Sequence, residues 1–187
     1  MEIYLVRHGK TDWNENHLMQ GRTDIELNET GLQEARTVKN LLKDIKFDKC
    51  YTSPLKRAIA TTKIITDLDY TIDERLIERS FGLLEGQPIT PLDVISRHWN
   101  CELNTNENEI EPILDLLERT KTFKDDLFNT KDNTILIISH GATSKALHYN
   151  LIGYDSNTDF LDFKLNNCEI CKYTIDNNKV TNYEIIK

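Results

Sequence analysis

The sequence predicts an α/β protein: a mostly parallel central sheet with helices on both faces and an antiparallel edge at the C-terminus. Three observations carry this. Strand-sized apolar runs alternate with segments of helical spacing, the pattern of a covered parallel sheet. Two of the runs, IYLV and NTILIIS, are apolar without interruption, as expected of strands buried on both faces. The last extended stretches, FLDFKL, CEICKYTI and VTNYEIIK, are close-spaced, as strands of an antiparallel edge are.

The elements follow in order. IYLV opens the sheet. ETGLQEARTVKNLLKDI sets Leu32, Ala35, Val38, Leu41, Leu42 and Ile45 on one helical stripe. FDKCYTS is the second strand. Ser53-Pro54 reads as a helix start, a serine N-cap before a proline in the first turn. The helix after it carries Leu55, Ala58, Ile59, Thr62 and Ile65. TIDERLIE reads as a third extended piece and GLLEGQPIT as a loop. The conformation of residues 87–112 is not legible from pattern, although their place suggests that they shape the leaving-group side of a site. NEIEPILDLLERTKTFKDDLF is a helix with Ile113, Leu116, Leu117 and Leu127 inward. NTILIIS is the fourth strand, and TSKALHYNLIG is a helix closed by Gly153. A turn at Asp176-Asn177-Asn178 joins the last two strands.

A chain of 187 residues can bury one sizeable core, so a single domain over residues 1–187 is expected. The net charge of −8 disfavours nucleic acid or an anionic membrane surface as partner, yet leaves room for a locally basic pocket. No apolar run approaches a membrane span, and the first one meets Arg7 and His8 too soon for a signal peptide. A cytoplasmic protein is expected. Of the cysteines, Cys50 and Cys101 stand singly, and Cys168 and Cys171 form C-x-x-C on a predicted strand. Positions three apart on a strand face opposite ways, so reduced structural thiols are expected rather than a zinc or redox pair.

The chemistry lies at strand ends. IYLVRHG and ILIISHG both place a histidine and a glycine at the carboxyl end of an apolar strand. Ligands of open α/β sheets bind at that edge. The second strand ends at Ser53, and the helix behind it brings Arg57 in its first turn. Arg7, His8, Arg57 and His140 therefore converge on one crevice. Glycines 9 and 141 would let backbone approach a ligand closely, and helix N-termini would offer N–H donors. Basic groups with free donors describe a phosphate pocket.

RHGKTDWN, QGRTDIELNETGLQEA, TSPLKRAIATT, LIERSFGLLEG and ISHGAT, in this order, resemble the histidine phosphatase superfamily in its phosphoglycerate-mutase-like branch. The resemblance implies that fold and a role for each matching residue. His8 would be the nucleophile that becomes a phosphohistidine. Arg7, Arg57 and His140 would hold the phosphoryl oxygens. Asn14 and the main-chain N–H of Gly141 or Ala142 would add donors, and Gln20 and Gly21 match a loop that reaches the ligand. Glu78 would be the general acid, since the family's acid precedes the glycine matched by Gly82; Glu85 and Glu74 are the alternatives. No metal or other cofactor is implied, because arginines neutralise the phosphoryl charge. His17, His98 and His148 match no block and are expected to be structural.

Two positions depart from the pattern. Lys10 stands where the family most often has glutamate or glutamine, and it is expected to be solvated. Leu84 stands where small phosphatases often have tryptophan. The stretch from Gly86 to Ser139 is short beside the mutases, which wrap their substrate in extra segments to exclude water. The expectation is a phosphatase acting on a small phosphorylated metabolite. A 2,3-bisphosphoglycerate-dependent mutase is the alternative, favoured by the spelling ERSFG. A non-catalytic phosphoryl-ligand or protein-binding module is a third reading, opposed by the intact basic set.

Overall fold

The computed structural model describes residues 1–89 and 96–187. Residues 90–95, within the stretch that pattern could not read, lie outside the described residues. The strands are β1 (Glu2–Arg7), β2 (Lys49–Thr52), β3 (Tyr70–Ile72), β4 (Thr134–Ser139), β5 (Ile170–Asp176) and β6 (Lys179–Ile186). They form one sheet in the order β3-β2-β4-β1-β5-β6. The pairs β1–β4, β2–β4 and β2–β3 are parallel, while β1–β5 and β5–β6 are antiparallel. The predicted α/β sheet with its antiparallel C-terminal edge is the observed one.

The helices are α1 (Asp12–Glu15), α2 (Glu29–Leu42), α3 (Lys56–Ile65), α4 (Ile113–Phe128) and α5 (Gly141–Ile152). Alternation along β1 divides the core. Ile3 and Leu5 join Leu116, Phe123, Ala146 and Leu147 of α4 and α5 on one face. Tyr4 and Val6 join Val38, Leu42, Ala58 and Ile65 of α2 and α3 on the other. Each such buried side chain stabilises the fold by about 1.5–3 kcal/mol over exposure. Among the described residues no helix is long and apolar enough to cross a membrane.

Several local expectations are corrected. Ser53 does not cap α3: the helix starts at Lys56, and the N–H of Lys56 donates 2.8 Å to Asp24 Oδ1 from a distant loop. TIDERLIE is extended only to Ile72. The Asp73 carboxylate then accepts from the N–H of Arg75 at 2.9 Å and turns the chain into a 3-10 helix at Glu74–Leu76. FLDFKL is not a strand. Phe160, Phe163 and Leu165 are buried as irregular chain, and the carbonyls of Phe163 and Leu165 accept from Lys145 Nζ (2.5 Å) and Arg7 Nη1 (3.0 Å) instead of a ladder. Gly9 has a packing reason of its own: a Cβ there would stand 2.5 Å from the Gly31 carbonyl of α2.

Cys50, Cys101, Cys168 and Cys171 are free. The strand expected over the C-x-x-C starts later: Cys171 lies on β5, but Cys168 sits in the turn before it at a φ of 55°. The two thiols still pack into the two separate core clusters, and burial pushes them up to about 12 for Cys168 and about 11 for Cys171. His148 is structural too. It stacks on Phe163 at 3.7 Å between ring centroids, with Nδ1 2.9 Å from the Tyr173 hydroxyl. Burial, aided by Lys145, lowers its pKa from 6.5 to about 4. The unfolded chain therefore binds a proton that the folded chain refuses between those values. Stability from neutral His148 is full above pH 6.5 and lost as pH falls toward 4, on the order of 3 kcal/mol for this group. His148→Gln should flatten the fall of melting temperature over that window; an unchanged slope would refute the assignment.

Candidate active site

The sheet register builds the crevice. Arg7 pairs with Ser139, and Thr52 with Ile138. His8 and His140 thus leave adjacent parallel strands at one level, their ring centroids 5.0 Å apart, and Ser53 follows from the next strand. Arg57, in the first turn of α3, lies between them. Its Nε donates to His8 Nε2 at 3.3 Å and to His140 Nδ1 at 3.2 Å. Its Nη1 and Nη2 donate to the carbonyls of Thr23 (2.8 Å) and Gly21 (2.7 Å).

These bonds set two different tautomers. His8 Nδ1 lies 2.7 Å from the Gly9 carbonyl, which can only accept, so Nδ1 carries the hydrogen and Nε2 keeps its lone pair. His140 is the reverse. Nδ1 accepts from Arg57, so Nε2–H donates to Ser53 Oγ at 2.6 Å. Both rings are buried, and both have their pKa held well below 6.5, by desolvation first and by the Arg57 cation second. Desolvation also lowers Arg57 to about 10, with Glu78 and Asp24 opposing the fall.

Arg7 is half-buried, and its Nη1 donates to Leu165 O. Its guanidinium lies against Gly141, where a Cβ would meet Cζ at 3.4 Å, an ordinary contact distance. Among the described residues Arg7 Nε and Gln20 Oε1 are buried without hydrogen-bond partners. Asn14 caps its own turn, with Oδ1 accepting from the Thr11 N–H at 3.1 Å. Asn167 joins this turn to the crevice by donating to His8 O (2.9 Å) and Asn14 Oδ1 (3.3 Å).

Glu78 sits at the N-terminus of α5. Oε2 accepts from the N–H of Ala142 at 3.2 Å, and Oε1 from the N–H groups of Thr143 (3.0 Å) and Arg79 (2.8 Å). A carboxylate gains from that helix end, where N–H donors are otherwise orphaned. The Ala142 N–H expected to meet a ligand thus pairs with Glu78 in this structure.

The alternatives to Glu78 are placed elsewhere. Glu85 accepts from the N–H groups of Arg22 (3.0 Å), Phe81 (3.0 Å) and Thr23 (2.9 Å) and from Thr23 Oγ1 (2.6 Å). It holds the loop that presents the Gly21 carbonyl to Arg57. Glu74 is exposed on its 3-10 turn. Lys10 is not simply solvated: Nζ lies 3.0 Å from Glu34 Oε1. Of the unmatched histidines, His17 is exposed at a positive φ of 54°, and His98 is buried with its carbonyl taken by Arg79 Nη2 at 2.8 Å.

Sequence reasoning missed Ser53 as the partner of His140, Asp24 as the cap of α3, and Asn167. A serine at a strand end was visible but read as a cap. Asn167 carried no signal, because only the antiparallel return of β5 beside β1 brings it to His8.

Twin histidines at parallel strand ends, bridged by one arginine, define an α/β enzyme built to handle an anionic group. The chain belongs to the histidine phosphatase superfamily (branch 1), whose family model matches residues 3–185. It is 35% identical over 156 residues to the uncharacterized phosphatase PhoE of Bacillus subtilis (strain 168), covering 82% of this chain and 78% of that protein. It is 30% identical over 181 residues to the probable phosphoglycerate mutase GpmB of Erwinia tasmaniensis, covering 92% and 84%. Its fold matches the crystal structure of a phosphoserine phosphatase from Entamoeba histolytica in complex with 3-phosphoglyceric acid. The TM-score there is 0.77 at 29% identity, over 97% of this chain and 95% of that one. The protein is an enzyme of this superfamily, phosphatase or mutase.

Proposed function

We propose that the enzyme is a phosphomonoesterase that hydrolyses a small phosphorylated metabolite through a phosphohistidine on His8, without a metal. One observation carries this reading. Burial and the Arg57 and Arg7 cations keep His8 neutral, and the Gly9 carbonyl holds the hydrogen on Nδ1, so that Nε2 bears the lone pair in the centre of the basic cluster. In the first step Nε2 attacks phosphorus while the ester P–O bond breaks, and Glu78, protonated, gives its proton to the leaving oxygen. In the second, water attacks the phosphohistidine, the P–N bond breaks and Glu78 takes the proton back. Arg57, Arg7 and His140 would bear on the phosphoryl oxygens, where cationic donors supply most of the catalysis. The orphan Nε of Arg7 supports its share. Gln20, Gly21, Asn14, Gly141 and Ala142 would complete the binding shell.

Incoming phosphoryl oxygens would compete with Glu78 for the Ala142 N–H. The four free thiols support a cytoplasmic setting.

The likeness to a named mutase over nearly the whole chain, together with the ERSFG spelling, supports one rival reading: 2,3-bisphosphoglycerate-dependent isomerisation on the same residues. A panel of sugar phosphates, nucleotides and phosphoglycerates, assayed with a chelator present, separates the two. Phosphate release without a bisphosphate primer is expected. Isomerisation outrunning release by about 100-fold, a barrier difference of about 2.7 kcal/mol, would replace hydrolysis by the mutase reading. Loss of activity restored only by added Mg²⁺ would refute the metal-free assignment.

A further inference from the structure

Glu111 lies just before α4, which starts at Ile113 rather than at the head of NEIEPILDLL, and it is tied to the surroundings of Glu78 at every polar atom. Its N–H donates to Ser80 O at 3.0 Å. Its carbonyl accepts from Arg79 Nε at 2.8 Å. Its Oε1 accepts from Arg119 Nε at 2.8 Å and lies 3.1 Å from Arg22 Nη2, and its Oε2 accepts from Arg119 Nη2 at 3.0 Å.

Each partner leads back to Glu78 through the chain or through one or two hydrogen bonds. Arg79 and Ser80 follow Glu78 in the chain. Arg22 Nε donates to the main-chain carbonyl of Glu78 at 3.1 Å. Arg119 Nη2 reaches Thr143 Oγ1 at 3.4 Å, and that hydroxyl lies 3.2 Å from Glu78 Oε1 and 2.6 Å from Ile77 O. Arg119 Nη1 also holds Arg75 O at 2.6 Å, upstream of Glu78. The Arg119 pair is bidentate and little exposed, a geometry that fixes direction as well as charge.

We propose that Glu111 is a positioning residue for Glu78. Through Arg22 and Arg119 it locks the loop before α2 and the middle of α4 onto both sides of the acid, and so sets where the proton is delivered. It does not touch the phosphoryl group. The inference rests on the reading of Glu78 as the acid that protonates the leaving oxygen.

Displacing an acid without removing the nucleophile has a distinctive signature. It slows esters whose leaving group needs a proton and spares those whose leaving group does not. In Glu111→Gln, kcat/KM on an alkyl phosphate should fall about 10- to 100-fold, while p-nitrophenyl phosphate stays close to the parent rate. In a Glu78→Gln background the same change should cost the alkyl phosphate nothing further, since no acid is left to misplace. Arg22→Gln, a change on a half-exposed side chain, should show the same selectivity more weakly and serves if Glu111→Gln does not fold. Equal losses on both esters, or none on either, would overturn the positioning role. The outcomes also separate the two readings. Glu78→Gln losing equally on both esters removes the acid assignment and this inference with it. A selective Glu78→Gln beside unselective Glu111→Gln and Arg22→Gln overturns the positioning role alone.

Discussion

Replacing His8 with alanine is expected to reduce turnover on the order of 10⁵-fold or more. The size follows from the chemistry, because the covalent route disappears rather than weakens. His140 lies 5.0 Å away between centroids, but its Nδ1 accepts from Arg57 and its Nε2 hydrogen is held by Ser53 Oγ. Its lone pair lies on Nδ1 and its Nε2 carries the hydrogen given to Ser53, the reverse of His8. The parent enzyme, mixed briefly with a labelled phosphomonoester and quenched, should carry an acid-labile, base-stable label on His8. Parent-like turnover in His8→Ala, or label on another side chain, would remove the proposed mechanism.

Arg57→Met should cost about 100- to 1,000-fold in kcat/KM, because the guanidinium is the donor closest to both histidines. It should also change the pH profile in a definite direction. Desolvation is the largest cause that keeps His8 from protonating, and Arg57 is the next. With the cation gone, desolvation remains but part of the depression is lost, so His8 protonates at higher pH. The acid limb of kcat/KM should therefore move upward. A variant as slow as expected but with an unmoved acid limb would mean that burial alone keeps His8 neutral. Parent-like activity would exclude Arg57 from the phosphoryl site.

How far the sequence reaches depends on the range of the forces involved. Side-chain alternation on IYLV and NTILIIS is a short-range property, so the buried strands, their helices and the crevice at their carboxyl ends could be read directly. Arg7, His8, Arg57 and His140 were legible for the same reason, as polar residues placed abruptly at apolar strand ends. The start of α3 was misread because a serine and a proline fit a local rule, whereas a carboxylate from another loop, Asp24, takes the Lys56 N–H. FLDFKL was misread because its apolar residues promised a strand, while Arg7 and Lys145 claim its carbonyls.

What the sequence by itself determined is the fold class and the identity of the basic cluster, because both follow from periodicity and from charge at strand ends. Only the tertiary structure decided the tautomers of His8 and His140, the hydrogen-bond partners of Glu78 and Glu85, and the bond network of Glu111. Each of these depends on hydrogen bonds between groups far apart in the chain, such as Thr143 N–H to Glu78 and Arg119 to Glu111. A hydrogen bond is lost beyond a few tenths of an ångström or a few tens of degrees, a precision that a pattern of residue types does not carry.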